Sequence, residues 1–336
     1  MVVVSPDELE ARPSFALLGA GYRGRCELWT DLDERPGDGE LVYAPFEAPG
    51  SAPRRFVAAA RAAVRVELGA PPALEIALDD AGHAEAVASI RASIAAGDVY
   101  QVCHTVRADL GAARGSDVLA ALSRRGLARF GAWVRLPGGE EIVSASPELM
   151  FEVRGRRVRA EPMKGTARGG DAAALEASAK DAAELAMITD LVRNDLARVC
   201  APRSVRVASE RRVLDLGYAV QTVSDVEGEL APDADDLDVL AALHPGGSVT
   251  GAPKEAALRA IRALERTPRG AYCGALGVRG GGDAAYAILI RTAHRARPGG
   301  RWVYGVGGGI VWDSDAASER HELDVKLGAL RGSPRS

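Results

Sequence analysis

The sequence predicts an α/β protein of the α+β type, built as one large unit behind an N-terminal extension. Three observations predict it. Helical periodicities and strand-like runs follow one another along the chain; the strand runs meet at glycine-containing turns suited to hairpins; and 336 residues fit a large two-layer unit while exceeding the usual single-domain length.

The elements follow in order. Arg35 to Pro72 is dense in Pro, Gly and Ala with little periodicity and reads as irregular structure, which places a boundary near residue 78, between an extension over 1–78 and a main domain over 79–332. Val87, Ile90 and Ile94 recur at helical spacing up to a stop at Gly97, and Val99 to Arg107 is β-rich. Ile142 to Val153 and Arg157 to Met163 read as two strands around Arg154-Gly155-Arg156. One long helix is predicted over Ala173–Val199, and another near Pro253. Tyr272–Val278, Tyr286–Arg295 and Trp302–Trp312 read as three closing strands, the last two joined by Pro298-Gly299-Gly300. Ser318–Leu330 reads as a final amphipathic helix.

Composition narrows the class. Hydrophobic residues make up 47%, charged residues 26%, and the net charge is -4, the balance of a soluble globular protein with no nucleic-acid footprint. No apolar run reaches the roughly 18 to 20 residues that span a bilayer. Cys26, Cys103, Cys200 and Cys273 lack the spacing of a zinc site or disulfide framework, and the N-terminus meets Asp7, Glu8 and Glu10 at once, unlike a signal peptide; both suit the cytoplasm.

Two carboxylate pairs stand out. Asp181 and Glu184 share one face of a helix, as do Glu319 and Glu322 in the last helix, with Lys326 one turn beyond. Alone, each pair reads as solvated surface. If the helices meet, four carboxylates converge, and two such groups about 4 Å apart repel by roughly 4 kcal/mol at an effective dielectric near 20, so convergence implies raised pKa values or a bound cation. All-oxygen ligands favour a hard ion such as Mg²⁺.

The same region carries six ordered blocks: Gly97-Asp98-Val99-Tyr100-Gln101-Val102, Ser144-Ala145-Ser146-Pro147-Glu148-Leu149, Glu161-Pro162-Met163-Lys164-Gly165-Thr166, Asp190-Leu191-Val192-Arg193-Asn194-Asp195-Leu196, His244 through Lys254, and Gly307-Gly308-Gly309-Ile310-Val311 leading into Glu319-Arg320-His321-Glu322. From about Ala84 to Leu330 the chain resembles the chorismate-utilising enzymes: anthranilate synthase component I, aminodeoxychorismate synthase component I, and the isochorismate and salicylate synthases. The resemblance implies large, mostly antiparallel β-sheets packed as a sandwich with helices outside, the N-terminal extension completing it. It implies Mg²⁺ held by Glu184 and Glu322 with support from Asp181 and Glu319, and chorismate as substrate. It implies enolpyruvyl-carboxylate contacts from Arg291 and Tyr272, and ring-carboxylate or loop contacts from Thr166, Ser248, Thr250, the Gly307 backbone amide and Lys326.

Three residues bear on the reaction. The hairpin centred near Gly155 would pair residue 148 with residue 162, making Lys164 a diagonal neighbour of Glu148, which on geometry alone reads as a surface ion pair. The resemblance instead implies Glu148 as general acid for departure of the ring hydroxyl, and Lys164 as a nucleophile of the aminodeoxychorismate type, where anthranilate and isochorismate enzymes generally carry Ala. A nucleophilic amine must be neutral, so partial burial and a nearby cation are expected for Lys164. Gln101 stands where water-activating relatives carry Lys, which implies an ammonia user. With no Gly-x-Cys-x-Gly elbow in the chain, a glutamine amidotransferase partner is expected. The expectation is 4-amino-4-deoxychorismate for p-aminobenzoate and folate synthesis, with an anthranilate-type enzyme as the alternative. Gln221 departs from a usual His, and Ala167-Arg168-Gly169-Gly170 matches the family imperfectly. Gly19-Ala20-Gly21-Tyr22-Arg23-Gly24 fits a dinucleotide fingerprint but no βαβ unit follows. A catalytically silent subunit is the remaining rival.

Overall fold

The computed structural model describes residues 2–331 apart from 24, 48–50, 125, 169–171, 217 and 218. The chain begins with β1 (Val2–Val4), α1 (Pro6–Glu10), β2 (Phe15–Leu18), α2 (Ala20–Arg23), β3 (Glu27–Asp33), β4 (Glu40–Ala44), β5 (Arg54–Val66) and β6 (Ala77–Asp79). It continues through α3 (His83–Ala95), β7 (Gln101–Asp109), α4 (Gly115–Leu122), β8 (Phe130–Arg135), β9 (Glu141–Ser146), β10 (Leu149–Arg154), β11 (Arg157–Ala160) and β12 (Met163–Arg168). Then come α5 (Ala172–Ala177), α6 (Ala179–Ala197), β13 (Arg206–Asp215), β14 (Ala219–Glu229), α7 (Asp236–Leu243), β15 (Gly251–Ala252) and α8 (Lys254–Leu264). The last elements are β16 (Ala275–Gly280), β17 (Asp283–Ile288), β18 (Thr292–Arg295), β19 (Val303–Ile310) and α9 (Ala316–Arg331).

Two sheets result, antiparallel at every described strand pair except β1 with β5. In the first, β6 and β15 flank one side of β7, followed by β19, β18, β9, β8, β2, β3 and β5. In the second, β13 joins β14, which pairs with both β11 and β12, and β10, β17, β16, β4 and β5 follow. Strand β5 belongs to both, pairing with β4 through Phe56 and with β3 from Val57 onward.

The faces between the sheets are apolar. Ala16, Leu18, Phe130, Ala132 and Val134 of the first meet Leu41, Tyr43, Leu276, Val278 and Ala287 of the second. Each fully buried large side chain there contributes about 1.5–3 kcal/mol. Helices α4 and α9 cover the first sheet's other face, where Val118, Leu119, Leu323 and Leu327 pack on Leu17, Trp133 and Val143. Residues of α6, α7 and α8, among them Leu196, Leu240 and Ile261, pack with Phe151, Val158 and Val226 of the second sheet. No helix among the described residues is long and apolar enough to cross a membrane.

The antiparallel sandwich with outer helices matches the expectation; several boundaries do not. Arg35–Pro72 is not irregular, since it holds β4 and the 13-residue β5, whose alanines are carried into a strand by pairing with β3. The long helix breaks after Ala177 because Ser178 turns to extended backbone and caps α6, its hydroxyl accepting from the Asp181 amide. Pro147 and Pro162 lie between strands, dividing each expected strand in two, as the missing N–H would require. Tyr272 precedes β16, and Leu289–Arg291 separate β17 from β18. The fingerprint at Gly19 is a structural turn: β2 pairs antiparallel with β3, and α2 has four residues.

Candidate active site

The glycines of β19 set the floor of the site. β19 pairs with β7 so that Gly307 opposes Thr105 and Gly309 opposes Cys103. A methyl group on Gly305 would lie 2.0 Å from Tyr272 Cδ1, one on Gly307 2.4 Å from the His104 carbonyl oxygen, and one on Gly309 2.8 Å from Gln101 Nε2. Only glycine lets backbone and side chains approach this closely. Gln101 is fully buried, and neither amide atom has a hydrogen-bond partner among the described residues. A buried amide left unpaired costs about 1–3 kcal/mol, so a partner at Gln101 has a large effect on stability.

Glu148 follows Pro147 at the start of β10 and is 4% exposed. Burial pushes its carboxyl up to about 7; the bond from Ser248 and the charge of Lys164 act the other way, and Glu161 reinforces burial. Ser248 Oγ donates to Glu148 Oε1 at 2.8 Å. Ser248 lies in a single 3₁₀ turn, Gly247–Val249, after the cis peptide His244-Pro245. Thr250 is fully buried and donates to the Gly246 carbonyl at 2.9 Å, so its hydroxyl shapes this loop. A carboxyl titrating near neutrality and held by a hydroxyl is suited to give up a proton at pH 7.

Lys164 reaches this centre by a different route from the one expected. The β10–β11 hairpin pairs Glu152 with Arg159 and Arg154 with Arg157, but Leu149 turns to pair with Ala287, while Lys164 lies on β12 opposite Thr222 of β14. The Glu148–Lys164 proximity is therefore not a cross-strand diagonal. Lys164 Nζ is ion-paired with Glu184 Oε2 at 3.2 Å, at 15% side-chain exposure. Partial burial is present; the charge against the amine is a carboxylate, not the expected cation.

Of the four carboxylates, two lie beside the floor and two beside β12. Glu319 and Glu322 reach Gly308, where a methyl would sit 3.4 Å from an oxygen of each. Glu319 is buried and accepts from Ser314 Oγ at 2.6 Å, whereas Glu322 is half-exposed and paired with Lys326 at 2.6 Å. Lys326 also donates to the Gly307 carbonyl at 2.5 Å. On α6, Asp181 lies against Gly165, which has a φ of +69°. Both Lys164 and Lys326 act electrostatically on the buried Cys103 thiol, so the two lysines face a common region. Among the described residues, no three His, Cys, Asp or Glu side chains are gathered as a preformed metal cage.

The remaining expected contacts are spread around this floor. Tyr272 is buried beside Gly305, and Arg291, at a φ of +50°, bears electrostatically on Tyr304. Thr166 lies on β12 opposite Gln221, its side chain outside the described residues, as are residues 169 and 170 of the imperfect match. Gln221 itself is buried.

Two motif residues are fasteners. Lys254 Nζ donates to Asp195 Oδ2 at 2.6 Å and to the Leu243 carbonyl at 3.1 Å, tying α6, the end of α7 and the start of α8 together. Arg269 was not singled out by sequence reading. It is 3% exposed and hydrogen-bonds the loop that carries Ser248. Its only sequence signal is an Arg-Gly step just before Tyr272.

Comparison with known proteins agrees with this architecture. A family model described as chorismate binding enzyme matches residues 52–332. Anthranilate synthase component 1 of Streptomyces coelicolor is 39% identical over 263 residues, covering 75% of this chain and 51% of the relative. The Haloferax volcanii protein of the same name is 36% identical over 309 residues, covering 86% and 59%. The chain thus spans about half the length of these curated relatives. Among solved structures, the menaquinone-specific isochorismate synthase MenF of Escherichia coli superposes with a TM-score of 0.80 at 19% identity, covering 96% of this chain and 89% of that one. Anthranilate synthase component I of Streptococcus pneumoniae superposes with a TM-score of 0.74 at 23% identity, covering 94% and 90%. Sharing this fold and matching the family over residues 52–332, the chain belongs to the chorismate binding enzymes.

Proposed function

We propose that this protein aminates chorismate in a Mg²⁺-dependent reaction, taking ammonia from a glutamine amidotransferase partner. The observation that carries the reading is Glu148, a buried carboxyl raised to about 7, bonded by Ser248 and within the field of Lys164, while Gln101 is buried against Gly309 of the glycine floor. Glu148 supplies the proton with which the ring hydroxyl departs as water. Gln101, a neutral amide, can orient ammonia but cannot deprotonate water. The glycine strand admits the flat substrate against backbone, and Arg291 and Tyr272 contact its enolpyruvyl carboxylate.

The donor chemistry fits Mg²⁺, which accepts oxygen ligands and needs only one or two protein carboxylates beside its waters. Glu184 and Glu322 would hold it, with Asp181 and Glu319 in support. When bound, Mg²⁺ polarises and orients the ring carboxylate of chorismate.

The curated relatives' names favour anthranilate as the product, with release of pyruvate. Lys164 favours a second product, 4-amino-4-deoxychorismate on the way to p-aminobenzoate and folate: its amine adds to the ring as the hydroxyl leaves, and ammonia then displaces it. Mass spectrometry after incubation with chorismate, Mg²⁺ and ammonium chloride separates them. Anthranilate with pyruvate establishes the first, aminodeoxychorismate the second, and unchanged chorismate removes both.

A further inference from the structure

We propose that Arg269 is a positioning residue that, with Glu265, sets the loop bearing Ser248 against strand β7, and so holds the proton donor in register with the floor. The inference rests on the amination reading for its kinetic consequence, though not for its geometry.

Arg269 is almost completely buried, and its donors reach three separate parts of the chain. Nη1 donates to the Val249 carbonyl at 2.6 Å, in the loop between Ser248 and Thr250. Nη2 donates to the Cys103 carbonyl at 2.7 Å, on β7 two residues beyond Gln101. Nη2 also meets Glu265 Oε1 at 2.6 Å, while Nε donates to Oε2 at 2.9 Å. Glu265 extends the hold by accepting from both the Thr105 amide and hydroxyl at 2.9 Å, and Thr105 is the residue opposite Gly307.

The Arg269 carbonyl accepts from the Tyr272 amide at 3.2 Å, and Phe46 stacks its ring 4.2 Å from the guanidinium. One side chain thus joins the loop behind the acid, the strand behind Gln101 and the turn that presents Tyr272.

The chemistry explains why arginine stands here. A planar fork can serve two carbonyls and a carboxylate at once, whereas an ammonium on a flexible stem cannot keep all three directions. Buried main-chain carbonyls accept readily from it, and the carboxylate balances its charge. The loop needs such an anchor because Ser248 donates to Glu148 from a single 3₁₀ turn, a segment with little hydrogen bonding of its own.

The test uses the full-length protein and the variants Arg269→Lys, Ser248→Ala, their double and Glu265→Gln, with chorismate, Mg²⁺ and ammonium chloride. A misplacement of about 1 Å lowers rate by up to roughly 100-fold. The expected result is a fall in kcat for Arg269→Lys larger than the change in chorismate KM. The double variant should be no slower than Arg269→Lys alone, because Ser248 has already lost its place. Hydrogen exchange at 247–250 should accelerate in Arg269→Lys and Glu265→Gln, with exchange in β8 unchanged.

Multiplicative rate losses in the double variant, or wild-type exchange at 247–250, would overturn the proposal. So would uniform acceleration across the chain, which would make the role one of general stability. If the wild type leaves chorismate untouched, the amination reading fails, and the exchange measurement alone decides the clamp.

Discussion

Ser248 Oγ donates to Glu148 Oε1 across 2.8 Å, joining a loop of one 3₁₀ turn to the start of β10. The bond stabilises the charged carboxylate and so opposes the upward push of burial. Activity that needs protonated Glu148 falls as pH rises through about 7. Ser248→Ala removes that bond, so the alkaline limb of the kcat profile moves to higher pH. A limb that stays put or moves down would separate Ser248 from the acid.

Glu148 also governs stability with pH. Its folded pKa is raised above the ordinary value of 4.5, so its favourable contribution is complete below that value and is lost as pH rises through about 7. Glu148→Gln keeps the shape without the charge. It is expected to be inactive, yet more stable than wild type at pH 8.5 by up to about 3 kcal/mol, and nearly equal at pH 4.5. Urea unfolding at the two pH values checks it.

Lys164→Ala discriminates between the two products. In the aminodeoxychorismate reading, it lowers output by roughly 100-fold or more, while equilibrium dialysis shows chorismate binding within a few-fold of wild type. In the anthranilate reading, turnover to anthranilate persists. The ion pair with Glu184 makes Mg²⁺ affinity the control, since it frees a carboxylate on α6.

Lys254→Met tests a fastening role. It strands Asp195, 8% exposed at the side chain, without its cation, and strips a donor from the last carbonyls of α7. A loss of roughly 3 kcal/mol is expected in urea unfolding. A larger fall in kcat than in stability would move Lys254 toward the chemistry.

Gly305→Ala would drive a methyl into Tyr272. The ring must shift, costing about 1–3 kcal/mol and raising the chorismate KM with a smaller effect on kcat. Steady-state kinetics and a melting curve read both.

The sequence marked the parts of the candidate site better than their arrangement. Glu148, Gln101 and the β19 glycines could be read because their chemistry stands out within contiguous blocks. Strand β5 could not, because Arg54–Val66 is rich in alanine, and its strand form comes from pairing with β4 and β3, which overrides local preference. The Glu148–Lys164 proximity was anticipated for an incorrect reason: Pro162 ends β11, and β12 then pairs with β14 instead of continuing the hairpin. Asp195 and Lys254 lie in different blocks, and only the packing of α6 beside α7 and α8 makes them a pair. Arg269 had no periodicity or motif to mark it, since its partners are carbonyls, and any residue type supplies a carbonyl.

The bare strand β19 has a consequence for how such a site can change. With methyl groups barred at Gly305, Gly307 and Gly309, the floor cannot be re-lettered without displacing Tyr272, β7 or Gln101. Variation in outcome must come from the walls. Lys164 on β12 and Glu148, just before β10, are held by strands of the other sheet, where one side chain can be exchanged while β19 stays as it was. A single exchange at either position is thus expected to change the chemistry offered above β19 without moving β19 itself.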